Sequence, residues 1–222
     1  MAGLRPIHVD SLEPESRELL QSLAERSWRD EVYLAGSGAL ALYLHHRPVR
    51  SIDLMAPANR LAGPDRRDLL EDLRAMDPGV RVETARDGFL YVRTSASVAL
   101  KFFYYPYPLI APEEELGGMP VVSALDLGLM KIAAIISRGS RRDFVDLHLL
   151  CNELPLDEML ERSGDKFGHV RDFPLQALKG LADLSLTRGE PLPRLKVTLE
   201  WSEVESWIRS EVQRLGRLAA GL

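Results

Sequence analysis

Val32-Tyr-Leu-Ala-Gly-Ser-Gly-Ala-Leu-Ala-Leu-Tyr-Leu44 is the stretch on which the reading of the fold turns. Residues 32–35 are a short apolar run that predicts a strand, Gly36-Ser37-Gly38 predicts a turn, and residues 39–44 predict a helix. A second short strand, Ile52-Asp-Leu-Met55, follows between Pro48 and Pro57. In such a layout a glycine turn offers backbone N–H groups and the Ser37 hydroxyl to a phosphate at a helix N-terminus, while the nearby Asp53 carboxylate holds a cation. A triphosphate is dense in negative charge, and magnesium, its usual counter-ion, demands hard oxygen ligands. Gly-Ser turns ahead of helices are also common as plain tight connections, so both readings stand on spacing alone.

Outward from this stretch, residues 12–28 predict an amphipathic helix with Leu19, Leu20, Leu23 and Ala24 on one face. Downstream, a charged helix is expected from Pro64 to Met76, with proline in its first turn. Extended segments are expected at residues 80–83, 89–93 and 97–105, with a turn at Arg86-Asp-Gly88. Pro106, Pro108 and Pro112 predict an irregular linker before one more short strand at residues 119–122. From residue 123 the pattern is helical. Ser123 with Asp126, Ser140 with Asp143 and Ser202 with Glu205 have the spacing of helix-start capping boxes. The expected fold class is therefore α/β (α+β), with a small mixed sheet in residues 1–122 and a helical part in residues 123–222.

Composition narrows the functional classes. The 222 residues are 45% hydrophobic, enough to fill a core, and no apolar run reaches the length of a membrane span. The first six residues lack the uninterrupted apolar stretch of a signal peptide, so a soluble, cytoplasmic protein with no membrane partner is expected. A net charge of −5 gives nucleic acid no global attraction, and an RNA partner would need a local patch such as Arg47 with Arg50 or Arg138 with Arg141 and Arg142. The single cysteine, Cys151, lies in an apolar segment and reads as a small buried hydrophobe. His45 and His46 read as solvent-facing or dipole-complementing residues without other zinc ligands nearby.

Several separated blocks resemble the AbiEii/AbiGii toxin family. Tyr33-Leu-Ala-Gly-Ser-Gly-Ala-Leu-Ala-Leu42, His46-Arg47 and Ser51-Ile-Asp-Leu-Met55 with Pro57 are similar to that family's first block, which reads GGTALAL, HR and DLDLF. Phe102-Phe-Tyr-Tyr-Pro-Tyr-Pro-Leu109 resembles a second block. Met130-Lys131 leading to Arg138-Gly-Ser-Arg-Arg-Asp-Phe-Val-Asp-Leu147 resembles a third, and Lys196 to Trp201-Ser-Glu-Val204 a closing signature. The resemblance implies a polymerase-β-like nucleotidyltransferase core, Mg²⁺, a nucleoside triphosphate, and transfer of nucleotides to RNA such as tRNA, in a module with a cognate antitoxin.

Against that pattern, the acids are depleted. Aligned without a gap, the first acid of the family's D-x-D falls on Ser51 and the second on Asp53; with a gap, Asp53 is the first and Met55 stands in for the second. The third acid falls on Lys101. At ~4 Å and an effective dielectric of ~20 a unit-charge pair is worth about 4 kcal/mol, and an ammonium in place of a carboxylate reverses its sign. A single ion on Asp53, phosphate binding by Lys101 without metal, and loss of activity are all consistent with this set.

The expected catalytic residues are Asp53, Lys131 and Asp143, with Asp53 also the metal ligand. The expected nucleotide-binding residues are Gly36, Ser37, Ser51, Lys101, Lys131 and Arg138. Lys131 stands out because it interrupts the apolar run Leu129-Met-Lys-Ile-Ala-Ala-Ile-Ile136, where a lysine either snorkels or meets an anion. Asp143 reads equally as a capping residue or as a group that orients Lys131 or acts as a base, and Asp146 as the partner of an arginine. Phe102, Phe103, Tyr104, Tyr105 and Tyr107 read as sheet packing, with base stacking open to one side of the run. The leading function is a nucleotidyltransferase-like protein that binds a nucleoside triphosphate and transfers a nucleotidyl group to RNA or protein. The alternative is a catalytically degenerate nucleotide-, RNA- or partner-binding protein of a toxin–antitoxin type module.

Overall fold

Proline and glycine cut the first half of the chain into short elements, and the computed structural model, which describes residues 8–221, places them in one mixed sheet. The N-terminal stretch read above for a signal peptide lies outside the described residues. The elements are α1 (Pro14–Ala24), β1 (Tyr33–Ala35), α2 (Gly36–Leu44), β2 (Ser51–Ala56), α3 (Gly63–Met76), β3 (Arg81–Arg86), β4 (Phe89–Arg93), β5 (Ala99–Tyr104), β6 (Glu114–Leu116) and β7 (Met119–Val121). The sheet has seven strands in the order β3-β4-β5-β2-β1-β7-β6. β2 runs parallel to β5, β1 parallel to β7, and the remaining neighbours are antiparallel.

Period-2 alternation decides which side of this sheet is dry. Ile52, Leu54, Leu90, Val92 and Leu100 are fully buried, while the alternate residues of β2, β4 and β5 are half-buried. Leu19, Leu20 and Leu23 of α1 and Leu40 and Leu42 of α2 are buried with them, as the amphipathic reading expects for α1. α1 is shorter than the expected 12–28, because Pro14 begins it and the chain leaves it at Glu25. β6 falls where an irregular linker is expected. Gly117 and Gly118, both at positive φ, turn it back onto β7, and such paired glycines suit a tight hairpin.

The chain divides into two compact units, one ending at Ser123 and one beginning at Ala124. The second contains α4 (Ala124–Arg138), α5 (Arg141–Leu150), α6 (Leu156–Glu161), α7 (Ser163–Phe167), α8 (Phe173–Ala182) and α9 (Trp201–Ala219). Its core includes Ile132, Phe144, Leu147, Ala177, Leu181, Val204 and Ile208. α8 approaches α4 so closely that a Cβ on Gly180 would stand 3.1 Å from the Ile136 Cα. The capping box of α9 is formed by Glu200 and Glu203, two residues before the expected Ser202 and Glu205; Glu203 Oε1 accepts from the Glu200 N–H at 3.0 Å. Glutamate serves here because its carboxylate is an acceptor at the positive end of the helix.

Asp126, read as a helix-start residue, is fully buried and takes the Lys166 ammonium at 2.7 Å, with neither side chain exposed. Burial pushes the Lys166 pKa down, and the hydrogen bond and charge of Asp126 oppose that shift. Removing one member of such a pair leaves a buried charge uncompensated. Lys166→Met is expected to cost about 3–5 kcal/mol in urea unfolding, and Lys166→Met with Asp126→Leu to recover part of it. An unchanged midpoint for the single variant would contradict the pairing.

Candidate functional site

In the first unit the sheet register gathers the candidate side chains. β1 lies beside β2 with Ala35 opposite Asp53, β2 beside β5 with Asp53 opposite Lys101, and β5 beside β4 with Lys101 opposite Tyr91. Alternation puts Ser51, Asp53, Met55, Lys101, Phe103, Tyr91 and Arg93 on one half-buried face. Both positions at which a second acid is expected, Ser51 and Met55, are therefore on the face of Asp53 whichever alignment is taken.

Gly36 and Ser37 form the first turn of α2. Gly36 has φ of +62°, and a Cβ there would lie 2.6 Å from Asp53 Oδ2. The turn can close over the carboxylate only because position 36 has no side chain. Lys101 Nζ lies 3.4 Å from Asp53 Oδ1 and 5.7 Å from the centre of the Tyr91 ring, an ammonium between a carboxylate and an aromatic face. Arg93 donates to the Tyr91 hydroxyl and, with its guanidinium 5.5 Å from the ring centre, holds that ring in place. Asp53 Oδ1 itself is buried and accepts no hydrogen bond. Tyr91 and Arg93 are absent from the expected site. The alternation of residues 89–93 is the signal that puts them on this face, once β4 is paired with β5.

A two-ion centre needs several hard oxygens converging on one face. Among the residues that β2, β4 and β5 place there, Asp53 is the one carboxylate, flanked by a hydroxyl at Ser51 and a thioether at Met55. Asp53 Oδ1 already faces the Lys101 ammonium. These residues do not fit a two-metal site.

The second unit carries the other cluster. Lys131, 5% exposed, is held by Asp143 Oδ1 at 2.9 Å and by Asp146 Oδ2 at 3.0 Å, so Asp146 meets this lysine where an arginine is expected. Arg138 donates to both oxygens of Asp143, at 2.9 and 3.1 Å, while its own side chain is 65% exposed. Ser140, the N-cap of α5, donates to Asp143 Oδ2 and accepts from the Asp143 N–H. Burial alone would raise the Asp143 pKa. The Arg138 hydrogen bond, the charge and hydrogen bond of Lys131 and the Ser140 hydroxyl overcome it and hold the carboxyl well below the usual carboxylate range. Two cations and two carboxylates thus balance within this cluster, and both readings of Asp143, as capping residue and as the group that orients Lys131, describe its contacts.

Other expectations change. Arg47 is buried, and Arg50 pairs with Glu13 and Glu15 at 3.7 and 3.6 Å, so those two do not form a free basic patch. The guanidinium of Arg141 lies over the Trp201 ring at 4.7 Å. His46 is buried and accepts from Arg47 Nε at 3.2 Å, contrary to a solvent-facing reading. His45 lies with His8 and Asp10, ligand atoms within 4.8 Å of one another, a group the chain separation hides in the sequence. Cys151 is half-buried where a buried residue is expected; burial, then the charges of Glu211 and Asp157, push its thiol up to about 12, which disfavours the thiolate. A cavity of about 250 Å³ lined by Trp28, Asp65, Asp72 and Phe102 belongs to the opposite face of the sheet and contains none of the expected site residues. Among the described residues no helix is long and apolar enough to cross a membrane.

With this geometry in hand, comparisons with known proteins place the chain. A family model described as "Nucleotidyl transferase AbiEii toxin, Type IV TA system" matches residues 18–201. An uncharacterized protein of Aquifex aeolicus (strain VF5) is 27% identical over 208 residues, covering 91% of this chain and 96% of that protein. Among solved structures, MenT4, a nucleotidyltransferase toxin from Mycobacterium tuberculosis H37Rv, superposes with a TM-score of 0.57 at 16% identity, over 90% of this chain and 84% of that one. That likeness establishes the mixed α/β fold.

The contact at Gly36 gives a direct test. Gly36→Ala forces an L side chain into left-handed backbone, which costs about 1–2 kcal/mol, and drives its Cβ into Asp53. Urea unfolding should shift by at least that amount; an unshifted curve would show that the turn does not close on the carboxylate.

Proposed function

The chain belongs to the AbiEii nucleotidyl transferase toxin family, and from that premise we propose that it binds a nucleoside triphosphate on the Asp53 face of the sheet and transfers the nucleotidyl group to a hydroxyl of an RNA such as tRNA. The observation that carries this reading is the close approach of the glycine turn to the Asp53 carboxylate, where a Cβ at Gly36 would stand 2.6 Å from Oδ2. A carboxylate held there, with Oδ2 toward the start of the helix, suits a hydroxyl that arrives with the acceptor molecule. In the proposed step the acceptor oxygen bonds to the α-phosphorus, the α–β phosphoanhydride bond breaks, and pyrophosphate leaves. The hydroxyl proton passes to Asp53. Gly36 and Ser37 at the start of α2 and Ser51 on the same face supply the backbone N–H groups and hydroxyls for the phosphates.

Lys131 and Asp143 are proposed as positioning residues that fix the start of α5 relative to α4, and the exposed Arg138 as the phosphate-binding cation of that cluster. The type IV toxin–antitoxin description of the family supports a cognate antitoxin as protein partner. A second reading, a nucleotide- or partner-binding protein that no longer turns over, is favoured by Lys101 standing where an acid is expected.

Labelled nucleoside triphosphates incubated with tRNA, Mg²⁺ and the purified chain separate the two. The first reading expects incorporation that falls about 100-fold or more in Asp53→Asn, the range for loss of a proton acceptor. Incorporation untouched by that substitution contradicts the role of Asp53, and nucleotide binding without incorporation supports the second reading.

A further inference from the structure

We propose that Lys101 is a built-in replacement for a divalent ion, so that this chain binds nucleoside triphosphate without metal. The inference rests on the nucleotide reading above and goes beyond it by naming what neutralises the phosphates. Four observations converge. The register places Lys101 directly beside Asp53 on the face that carries Ser51 and Met55, one of which stands where a second acid is expected. Its ammonium stands 3.4 Å from Asp53 Oδ1, so a positive charge already faces that carboxylate. Tyr91, fixed by Arg93, backs the ammonium from the neighbouring strand at 5.7 Å. Lys101 is also 31% exposed, so it is not sealed into the sheet with Asp53 as a core ion pair.

The chemistry of the exchange is coherent. An ammonium has three donors, and one carboxylate facing it at 3.4 Å uses at most one of them. The others are free to meet phosphate oxygens as charge-assisted hydrogen bonds, and the carboxylate keeps the lysine localised. A divalent ion at the same place would be repelled by Lys101 and would find a single carboxylate to hold it. Lysine as a point charge is a known binder of phosphate, so the substitution that removes a metal ligand supplies what the metal would have contributed to binding.

Calorimetry with each of the four ribonucleoside triphosphates, in EDTA and in Mg²⁺, tests this on the full chain. The expected result is binding whose affinity differs by no more than about twofold between the two buffers. Lys101→Ala should weaken it about 10- to 100-fold in both, the effect of losing a charged hydrogen bond. Lys101→Arg should retain metal-free binding, and Lys101→Asp, which restores a second carboxylate beside Asp53, should make binding depend on Mg²⁺. Circular dichroism melts of each variant show that a loss is not unfolding, and binding by the arginine variant does so independently. Wild-type binding that requires Mg²⁺ overturns the inference and leaves the nucleotide reading standing. No binding of any nucleotide in either buffer overturns both.

Discussion

Asp53 is the constraint around which the first unit is arranged. A half-buried carboxylate beside a helix N-terminus is tolerable only where something offsets its charge and nothing overlaps it. Gly36 meets the second condition, since a Cβ at that position would stand 2.6 Å from the carboxylate. Lys101 meets the first, opposite Asp53 in the parallel register of β2 and β5. The mixed sheet follows from the same requirement. A parallel β2–β5 pair demands a long crossover, and α3, β3 and β4 are what the chain threads between them.

Charge balance is also the theme of the second unit, at lower dielectric. Lys131 between Asp143 and Asp146, and Lys166 against Asp126, are buried pairs that tie α4 to α5 and to α7. Arg138 differs from these lysines in being exposed while bidentate to Asp143, so the cluster ends at the surface in a guanidinium.

Local signals made much of this legible from residues alone. The apolar run before Gly36 and the apolar helix after it specify their elements within a dozen residues; β1 lies where expected, while α2 begins at Gly36, so the residues expected as a turn form its first helical turn. Prolines and glycines bounded β2 and β4 for the same reason. The acid-depleted site was visible as Ser51, Met55 and Lys101. Its physical meaning was not, because it depends on pairing: Tyr91 joins Lys101 only through the β4–β5 register, and Asp126 meets Lys166 across 40 positions. Capping of α9 moved to Glu200 because any acceptor side chain of suitable reach can serve, and serine is only the commoner choice. The histidine group His8, Asp10 and His45 shows the same limit, since spacing along the chain says nothing of ligands brought together by folding.

Family membership and the departures at Ser51 or Met55 and at Lys101 then describe one molecule: a member of a nucleotidyltransferase family with an ammonium beside Asp53 where a third acid is expected. The measurement that bears most directly on this is a crystal structure of the chain with ATP and Mn²⁺, collected at the manganese absorption edge. The account predicts triphosphate density in contact with Lys101 Nζ and no anomalous peak at the Asp53 carboxylate. A manganese peak bonded to Asp53, with Lys101 turned away from it, would contradict the account.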